Sequence, residues 1–223
     1  MQQKKSKKIL FYFLLLIIFG SINNTEINKV KFSKIKNIQL SGLDTKNIEL
    51  LSKEIRRLNL QNIYFLDSDE LNEIINKNSL VEKYNIFKIY PSTIYIKIKK
   101  TKFVAKINKN GQELIIGSNG KFSKKNLSSY ELPYIFGTPE INEFLKFKKT
   151  IDESQLSYSQ IKNLYFFKSK RWDIELKNNI LIKLSQEYTE GSLENVFKIM
   201  DDNRLKNFKI IDARVKNQIV TYE

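Results

Sequence analysis

Apolar and polar residues alternate, or recur at helical spacing, along most of the chain, and the first such stretch predicts a strand and a helix. Residues 35–43 (IKNIQLSGL) alternate and end at Gly42, a pattern typical of a strand that closes in a turn. Asp44 follows as a helix-capping residue. The predicted helix has one apolar face, which consists of Ile48, Leu51, Ile55 and Leu58.

A second, shorter helix and a pair of strands follow. Asp67 stands three residues before Glu70, which resembles a capping box at a helix start. The apolar face of this helix consists of Leu71, Ile74 and Ile75. Two extended runs, 81–90 and 93–100, flank a proline turn. The order strand, helix, helix, strand, strand is therefore predicted for residues 33–100.

The last of these strands has two different faces. Three isoleucines alternate with one tyrosine and two lysines: Ile94, Ile96 and Ile98 with Tyr95, Lys97 and Lys99. We expect the isoleucines to face the helices, and the tyrosine and lysines to face water or a partner. A solvated lysine face discourages edge-to-edge aggregation. Docking of another protein, or of acidic lipid headgroups, is the alternative, and both readings stay open.

Residues 101–223 are richer in strand patterns. Asn110-Gly111 and Asn119-Gly120 each lie between apolar runs, as the turns of β-hairpins do. Residues 172–185 alternate on both sides of Asn178-Asn179, which predicts a further hairpin. We expect a mixed α/β domain with a largely antiparallel sheet, so the class of the whole protein is α+β.

Two helices are predicted between these strands. Thr138 can cap a helix whose first position is Pro139. The apolar face of this helix consists of Ile141, Phe144 and Leu145, and that of the second helix consists of Leu193, Val196, Phe197 and Met200. Both helices then have one face to bury against the sheet.

Four residues outside these apolar faces suggest specific contacts. Trp172 begins an alternating strand, so we expect it in the core, with Arg171 either solvated or in contact with a partner. Asp212 and Arg214 are expected to pair across a strand and to hold the terminal segment in place. A structural role is favoured for this pair over a chemical one.

The N-terminus combines four lysines with an apolar run. Residues 9–22 (ILFYFLLLIIFGSI) carry no charge, and no Ala-x-Ala-like cleavage site follows them. We favour an uncleaved transmembrane signal anchor at 9–25, over a cleaved signal peptide or a buried core helix. The basic tail 1–8 would then lie in the cytoplasm, and the bulk of the chain in the periplasm.

Composition excludes several kinds of chemistry. The chain has no Cys and no His, so disulfides, thiolate metal sites, cysteine nucleophiles and histidine acid–base catalysis are absent. The net charge is +15, but lysines are spread along the chain among many Ile and Asn residues. We read this spread as the product of an AT-rich genome and not as a nucleic-acid interface.

Five segments in the same order resemble the FtsQ/DivIB family of bacterial cell division proteins, and together they cover nearly the whole chain. They are IYPSTIYIKIKKTKFVA (89–105), LIIGSNGKF (114–122), ELPYIFG (131–137), KRWDIEL (170–176) and IIDARVKNQIVTY (210–222). Two places depart from the family pattern. Residues 100–103 replace its Glu-Arg-x-Pro, and Gly117 stands where aspartate is usual.

The resemblance implies a fold and a role. Residues 33–100 would be a POTRA domain, and residues 101–223 a β domain with a partner-binding C-terminal strand. The protein would be a bitopic inner-membrane scaffold at midcell, without catalysis, cofactor or small-molecule substrate. It would recruit FtsB and FtsL and link early and late proteins of the divisome.

The resemblance also implies where partners bind. The C-terminal edge would contribute Val215, Gln218, Ile219, Val220, Thr221 and Tyr222, with Arg171 as a carboxylate partner nearby. Tyr95, Lys97 and Lys99 would form a second surface on the POTRA domain. Ile219, Val220 and Thr221 are β-branched, as an edge strand that accepts another strand requires.

Two other classes of function stay open. A POTRA-bearing assembly factor for exported or outer-membrane polypeptides would normally carry several POTRA repeats or a β-barrel, and the sequence shows neither. A periplasmic enzyme without His or Cys would need a pair of carboxylates in a cleft, and no acidic cluster stands out.

Overall fold

The computed structural model describes residues 3–22, 34–58, 60, 63–64, 66, 68–124, 130–187, 189–200, 208–216 and 218–223. An N-terminal helix, α1 (Gln3–Ile22), precedes two units that each have a sheet and a hydrophobic core. The first unit contains β1 (Asn37–Ser41), α2 (Thr45–Arg56), α3 (Asp69–Lys77), β2 (Val81–Ile89) and β3 (Thr93–Lys100). This is the strand and helix order expected for residues 33–100.

The second unit contains seven further strands before its last helix and two after it. Its elements are β4 (Phe103–Lys109), β5 (Gln112–Gly117), β6 (Phe122–Ser123), β7 (Tyr134–Phe136), α4 (Ile141–Glu153), β8 (Ile161–Phe166), β9 (Trp172–Leu176), β10 (Leu181–Leu184), α5 (Thr189–Met200), β11 (Ile210–Ala213) and β12 (Val220–Tyr222). A short 3-10 turn at Tyr158–Gln160 leads into β8.

Apolar side chains on α1 pack into neither core. From Ile9 to Phe19 its large apolar side chains are mostly exposed, Leu16 for 70 % of its surface. The reading of this segment as a buried core helix is therefore wrong. Among the described residues, no helix is both long enough and apolar enough to cross a membrane. Of the anchor predicted at 9–25, residues 23–25 lie outside the described residues.

The first unit is a three-stranded sheet covered on one face by α2 and α3. The strand order is β1-β3-β2, with β3 parallel to β1 and antiparallel to β2. The isoleucines of β3 at 94, 96 and 98 are 0 to 4 % exposed and pack against Leu51, Ile55 and Leu71 of the helices. The expected orientation of β3 is thereby confirmed.

The sequence predicted that these helices exist more accurately than it predicted the residues at which they begin. Asp44 caps α2 as expected, accepting a hydrogen bond from the backbone N–H of Asn47 at 3.1 Å. Helix α3 begins at Asp69 after Ser68, whose side chain makes no capping hydrogen bond. The capping box predicted at Asp67 lies outside the described residues. The predicted cap at Thr138 is wrong, since α4 follows Glu140 two residues later.

The second unit is a nine-stranded sheet with helices α4 and α5 on one face. The strand order is β12-β11-β10-β9-β8-β7-β4-β5-β6. Antiparallel pairs are the majority, but β4–β7, β7–β8 and β10–β11 are parallel, so the sheet is mixed. The three predicted hairpins are present, at β4–β5, β5–β6 and β9–β10.

The core of the second unit centres on its single tryptophan. Trp172 is 6 % exposed, and its ring stacks on Phe147 of α4 at 4.5 Å between centroids and 6° between planes. Phe144 and Phe166 contact the same ring at 6.3 and 4.8 Å. The prediction that Trp172 is a core residue is confirmed.

Candidate functional site

Among the strands that the structure describes, the sheet of the second unit ends at β12, which pairs with a neighbour on one side only. β12 pairs antiparallel with β11, in the register Ile210↔Tyr222, Ile211↔Thr221 and Asp212↔Val220. It is the first strand in the sheet order, so its other side is an open edge. Such an edge presents backbone N–H and C=O groups to which an incoming strand can bind.

Alternation along β12 decides which backbone groups face outward. The carbonyl of Tyr222 accepts a hydrogen bond from the N–H of Lys209 at 2.8 Å, so Tyr222 faces the sheet. The N–H and C=O of one residue in a strand point to the same side, and those of the next residue to the opposite side. The N–H and C=O of Thr221 therefore lie at the open edge.

Side chains around this edge differ in exposure. Tyr222 is 50 % exposed and Val220 is 40 % exposed, while Ile219 packs against the core. Val215 is 61 % exposed and lies in the bend between β11 and β12, where its carbonyl accepts the N–H of Gln218 at 3.2 Å. Of the described residues from Val215 to Tyr222, only 220–222 form a strand.

A row of alternating charges crosses the face of the sheet that points away from α4 and α5. Lys183 lies opposite Asp173 on β9 and opposite Asp212 on β11. Arg214 binds Asp212 through its Nε and Nη2 atoms at 2.6 to 2.9 Å. The expected pair of Asp212 and Arg214 is therefore confirmed, although it forms along the end of one strand and does not cross to a neighbouring strand.

The two carboxylates of the row respond differently to their surroundings. The hydrogen bond from Arg214 is the main reason why the pKa of Asp212 lies below its ordinary value. Burial raises the pKa of Asp173, against the opposing effects of Arg171 and Lys183. Asp173 is only 3 % exposed, and Arg171 and Lys183 favour its charged form against the effect of burial.

Arg171 stands at the far end of this row. Its Nε binds Asp173 at 3.1 Å, and its guanidinium lies over the ring of Phe167 at 4.3 Å. β10 and β11 separate β9 from β12, so three spacings of about 4.8 Å place Arg171 about 14 Å from the edge. The structure does not bring Arg171 into contact with the residues of β12.

One polar cluster on the same face was not predicted from sequence. Glu175 accepts hydrogen bonds from Lys162 at 2.8 Å, from Asn163 at 2.9 Å and from Tyr165 at 2.6 Å. These bonds lower the pKa of Glu175 to about 2. The ring of Tyr165 stacks on Phe136 at 5.0 Å. The cluster joins β7, β8 and β9, and no local sequence pattern reveals which strands become neighbours.

The second predicted surface lies on the first unit. Lys97 and Lys99 are exposed, and Tyr95 is half-buried with its hydroxyl 2.8 Å from Ser41 Oγ. The ring of Tyr95 stacks on Phe87 of β2 at 5.9 Å. This surface and the β12 edge belong to different sheets.

Acidic residues do not form a metal centre in the part of the chain that the structure describes. No group of three or more Asp and Glu side chains there is arranged to hold an ion. Asp173, Glu175 and Asp212 of the second unit instead bind lysine, arginine, asparagine and tyrosine side chains. The arrangement is suited to binding another chain through an edge and a charged face.

Comparison with known proteins gives consistent matches. The family model described as "Cell division protein FtsQ/DivIB, C-terminal" matches residues 96–214, a range that ends before β12. "Cell division protein FtsQ" of Rickettsia bellii (strain RML369-C) is 26 % identical over 195 residues, covering 83 % of this chain and 70 % of the relative. The protein of the same name from Rickettsia conorii (strain ATCC VR-613 / Malish 7) is 24 % identical with the same coverage.

A solved structure also matches, with low similarity. It is the major extracytoplasmic domain of the trans isomer of the bacterial cell division protein DivIB from Geobacillus stearothermophilus. The match has a TM-score of 0.31 and 9 % identity, and covers 40 % of this chain and 83 % of that one. The family model alone spans more than half of the chain, and this protein therefore belongs to the FtsQ/DivIB family of cell division proteins.

Proposed function

We propose that the protein is a bitopic scaffold of the division machinery that recruits FtsB and FtsL by strand addition at β12. Family membership supports a role in cell division. The observation that carries the proposed contact is the open edge at β12, with the backbone groups of Thr221 directed outward. A scaffold of this kind binds its partners and performs no reaction of its own.

A three-residue strand cannot supply the whole affinity through its backbone. Each added hydrogen bond contributes about 1 kcal/mol net, and Thr221 offers one donor and one acceptor. The exposed side chains of Val215, Val220 and Tyr222 add apolar area beside the edge. An aromatic side chain in such a position is typical of residues that dominate binding energy. We therefore assign Tyr222 the main side-chain contact, with Gln218 and Ile219 supporting the bend that leads into β12.

Arg171 has a separate part in the proposal. A carboxylate of the partner would have to cross about 14 Å of sheet from β12 to reach it. The partner would then need a second element lying over the charged face, in addition to the added strand. The hydrogen bonds from Arg171 to Asp173 use Nε and Nη2. Its Nη1 group can therefore donate to such a carboxylate.

The test of the edge is a substitution that removes one donor and leaves the sheet intact. Thr221→Pro deletes the outward N–H, and proline is tolerated on edge strands for the same reason. We expect at least a tenfold loss of affinity for FtsB, because the lost bond and the ring in its place both oppose pairing. Tyr222→Ala should give a comparable loss.

A matched control keeps the backbone donor. Thr221→Val retains the N–H and the β-branched shape, so it should bind FtsB as the unsubstituted chain does. Titration calorimetry of the full chain in detergent micelles measures affinity, and circular dichroism verifies the fold. Undiminished binding by folded Thr221→Pro and Tyr222→Ala would refute strand addition at this edge.

The proposed topology is a single membrane anchor at 9–25, with residues 1–8 in the cytoplasm and the bulk of the chain in the periplasm. Four lysines before the apolar run and the exposed apolar side chains of α1 support it. Residues 33–100 act as the POTRA domain and residues 101–223 as the β domain. N-terminal sequencing of protein from the membrane fraction tests the anchor. A mature N-terminus near residue 25 would show that the segment is cleaved.

The second candidate is a POTRA-type binding factor for exported or outer-membrane polypeptides. An open sheet edge suits both functions, because either partner can add a strand. The position of a fluorescent fusion in dividing cells separates them. A band at midcell supports the division scaffold, and a uniform envelope signal supports the assembly factor.

A further inference from the structure

The sheet of the first unit has an outward face that contains no acidic residue. Strand alternation places its side chains opposite the helices α2 and α3. The outward face carries Lys83, Phe87, Ile89, Tyr95, Lys97 and Lys99, and its remaining positions hold uncharged polar side chains. All of these positions belong to fully described strands. The face is basic toward one end and apolar toward the other.

At the basic end of this face, three lysine side chains lie close together and repel one another. Lys83 on β2 lies directly opposite Lys99 on β3, and Lys97 is on the same face two residues away. Among the described residues, none of these three ammonium groups forms an ion pair. Glu82, the nearest carboxylate in sequence to Lys83, accepts hydrogen bonds from Thr101 and Ser118 instead. Like charges in opposite positions destabilise a sheet, and an anionic surface above them would remove that cost.

The apolar end exposes large side chains. Phe87 is 46 % exposed, Ile89 is 48 % exposed, and Tyr90 in the following turn is 57 % exposed. Phe87 and Tyr95 lie directly opposite each other with stacked rings. Tyrosine side chains favour the headgroup layer of a bilayer, where the hydroxyl lies in polar and the ring in apolar surroundings, and phenylalanine inserts on the apolar side of that layer.

The chain enters the first unit beside this apolar end. The N–H of Lys36 donates to the carbonyl of Ser92, in the β2–β3 turn, at 2.9 Å. Residues 23–35 connect this point to the end of α1, and even fully extended they span no more than about 50 Å. A membrane anchored by α1 is therefore always within reach of Phe87, Ile89 and Tyr90.

We propose that this outward face docks on a bilayer surface containing anionic phospholipids. Phe87, Ile89 and Tyr90 enter the headgroup layer, and the three lysines bind lipid phosphates. The inference rests on the proposed membrane anchorage and is independent of strand addition at β12. Lipid is favoured over an acidic protein because the tether holds the bilayer at high effective concentration, and because apolar and basic groups lie on one face.

The absence of cysteine allows a direct measurement of docking. Asn85→Cys places one fluorescent donor on the outward face, between Lys83 and Phe87. Ser169→Cys places the same donor on an exposed turn of the second unit as a control. The full chain is inserted into nanodiscs of phosphatidylcholine alone, or with phosphatidylglycerol, each containing an acceptor-labelled lipid. Energy transfer reports the distance of each site from the bilayer.

We expect strong transfer from position 85 only in discs that contain phosphatidylglycerol. Each lysine near an anionic surface contributes about a fivefold factor, so replacing Lys83, Lys97 and Lys99 together by Glu should reduce docking at least a hundredfold. Replacing Lys149, Lys168 and Lys177 by Glu gives the same net charge, 15 − 6 = +9, and should leave docking unchanged. The triple Lys→Arg variant should also dock. Salt should weaken the transfer.

Several results would overturn the proposal. They are equal transfer in both kinds of disc, an equal effect of the two Glu variants, and transfer that arises only after an acidic partner protein is added. Failure of the anchorage would be recognised separately, because the chain would not stay in phosphatidylcholine discs. In that case lysine-dependent binding to phosphatidylglycerol vesicles still supports docking, and its absence refutes it.

Discussion

The side chain of Asn119 forms several of the hydrogen bonds at the junction between the two units. Asn119 lies in the β5–β6 turn of the second unit, and its Nδ2 donates to the carbonyls of Ser79 and Val81 in the first unit, at 3.0 and 2.8 Å. Its Oδ1 accepts the N–H of Lys121 at 3.0 Å. Asn119→Ala removes all three hydrogen bonds and changes no apolar contact of either core.

The expected effect follows from these bonds. Each hydrogen bond contributes about 1 kcal/mol net, so Asn119→Ala should lower the free energy of unfolding by about 2 to 3 kcal/mol. The lower value applies where water reaches the two freed carbonyls. Asn178→Ala is a matched control in another turn of the same sheet. The Asn178 side chain accepts one hydrogen bond, from the N–H of Ile180 at 3.3 Å in an exposed position. Loss of this bond should lower the free energy of unfolding by about 0.5 kcal/mol or less.

Urea unfolding of the full chain in detergent micelles measures this difference. Trp172 is the only tryptophan and is buried in the second unit, so its fluorescence follows that unit alone. Far-UV circular dichroism follows both units. We expect the two transitions to coincide in the unsubstituted chain and to separate in Asn119→Ala, because each unit has its own core. Coincident transitions in Asn119→Ala, or equal losses for both variants, would refute this account of the junction.

Two further predictions concern the second unit. Phe147→Ala removes the ring that stacks on Trp172 and should cost about 3 to 5 kcal/mol, measured by urea unfolding; a loss below about 1 kcal/mol would contradict the packing. The pKa of Glu175 is lowered from its ordinary value of 4.5 to about 2, mainly by hydrogen bonds from Asn163, Lys162 and Tyr165. Its stabilisation is therefore complete above pH 4.5 and is lost as the pH falls toward 2. Acid titration of unfolding should show a smaller decline over that window for Glu175→Gln, and an equal decline would argue against the cluster.

A scaffold that contacts both a bilayer and a partner chain would need its two units in a fixed relative orientation. The hydrogen bonds of Asn119 help to fix that orientation. Thr101 contributes as well, because its N–H donates to the carbonyl of Leu80 at 2.9 Å. The bond that Lys121 Nζ donates to the carbonyl of Asn78, at 3.3 Å, crosses the same junction. The bilayer-docking face and the β12 edge would then be held at a defined distance from each other.

Local sequence patterns predicted the elements well and their starts less well. Alternation placed β2, β3, β9 and β10 almost residue by residue, because a strand with one buried face requires a period of two. The capping pattern at Thr138 failed, since several nearby residues can begin the same helix.

The sequence by itself determined which residues are apolar inside and polar outside, and which chemistry is absent. It identified the isoleucine face of β3, the core position of Trp172 and the lack of Cys and His. Only the tertiary structure decided the order of strands. β7 lies between β4 and β8, and β12 lies alone at the edge, because long-range pairing depends on backbone hydrogen bonds that any sequence can form. For the same reason, only the fold could show that Arg171 is three strands away from Thr221.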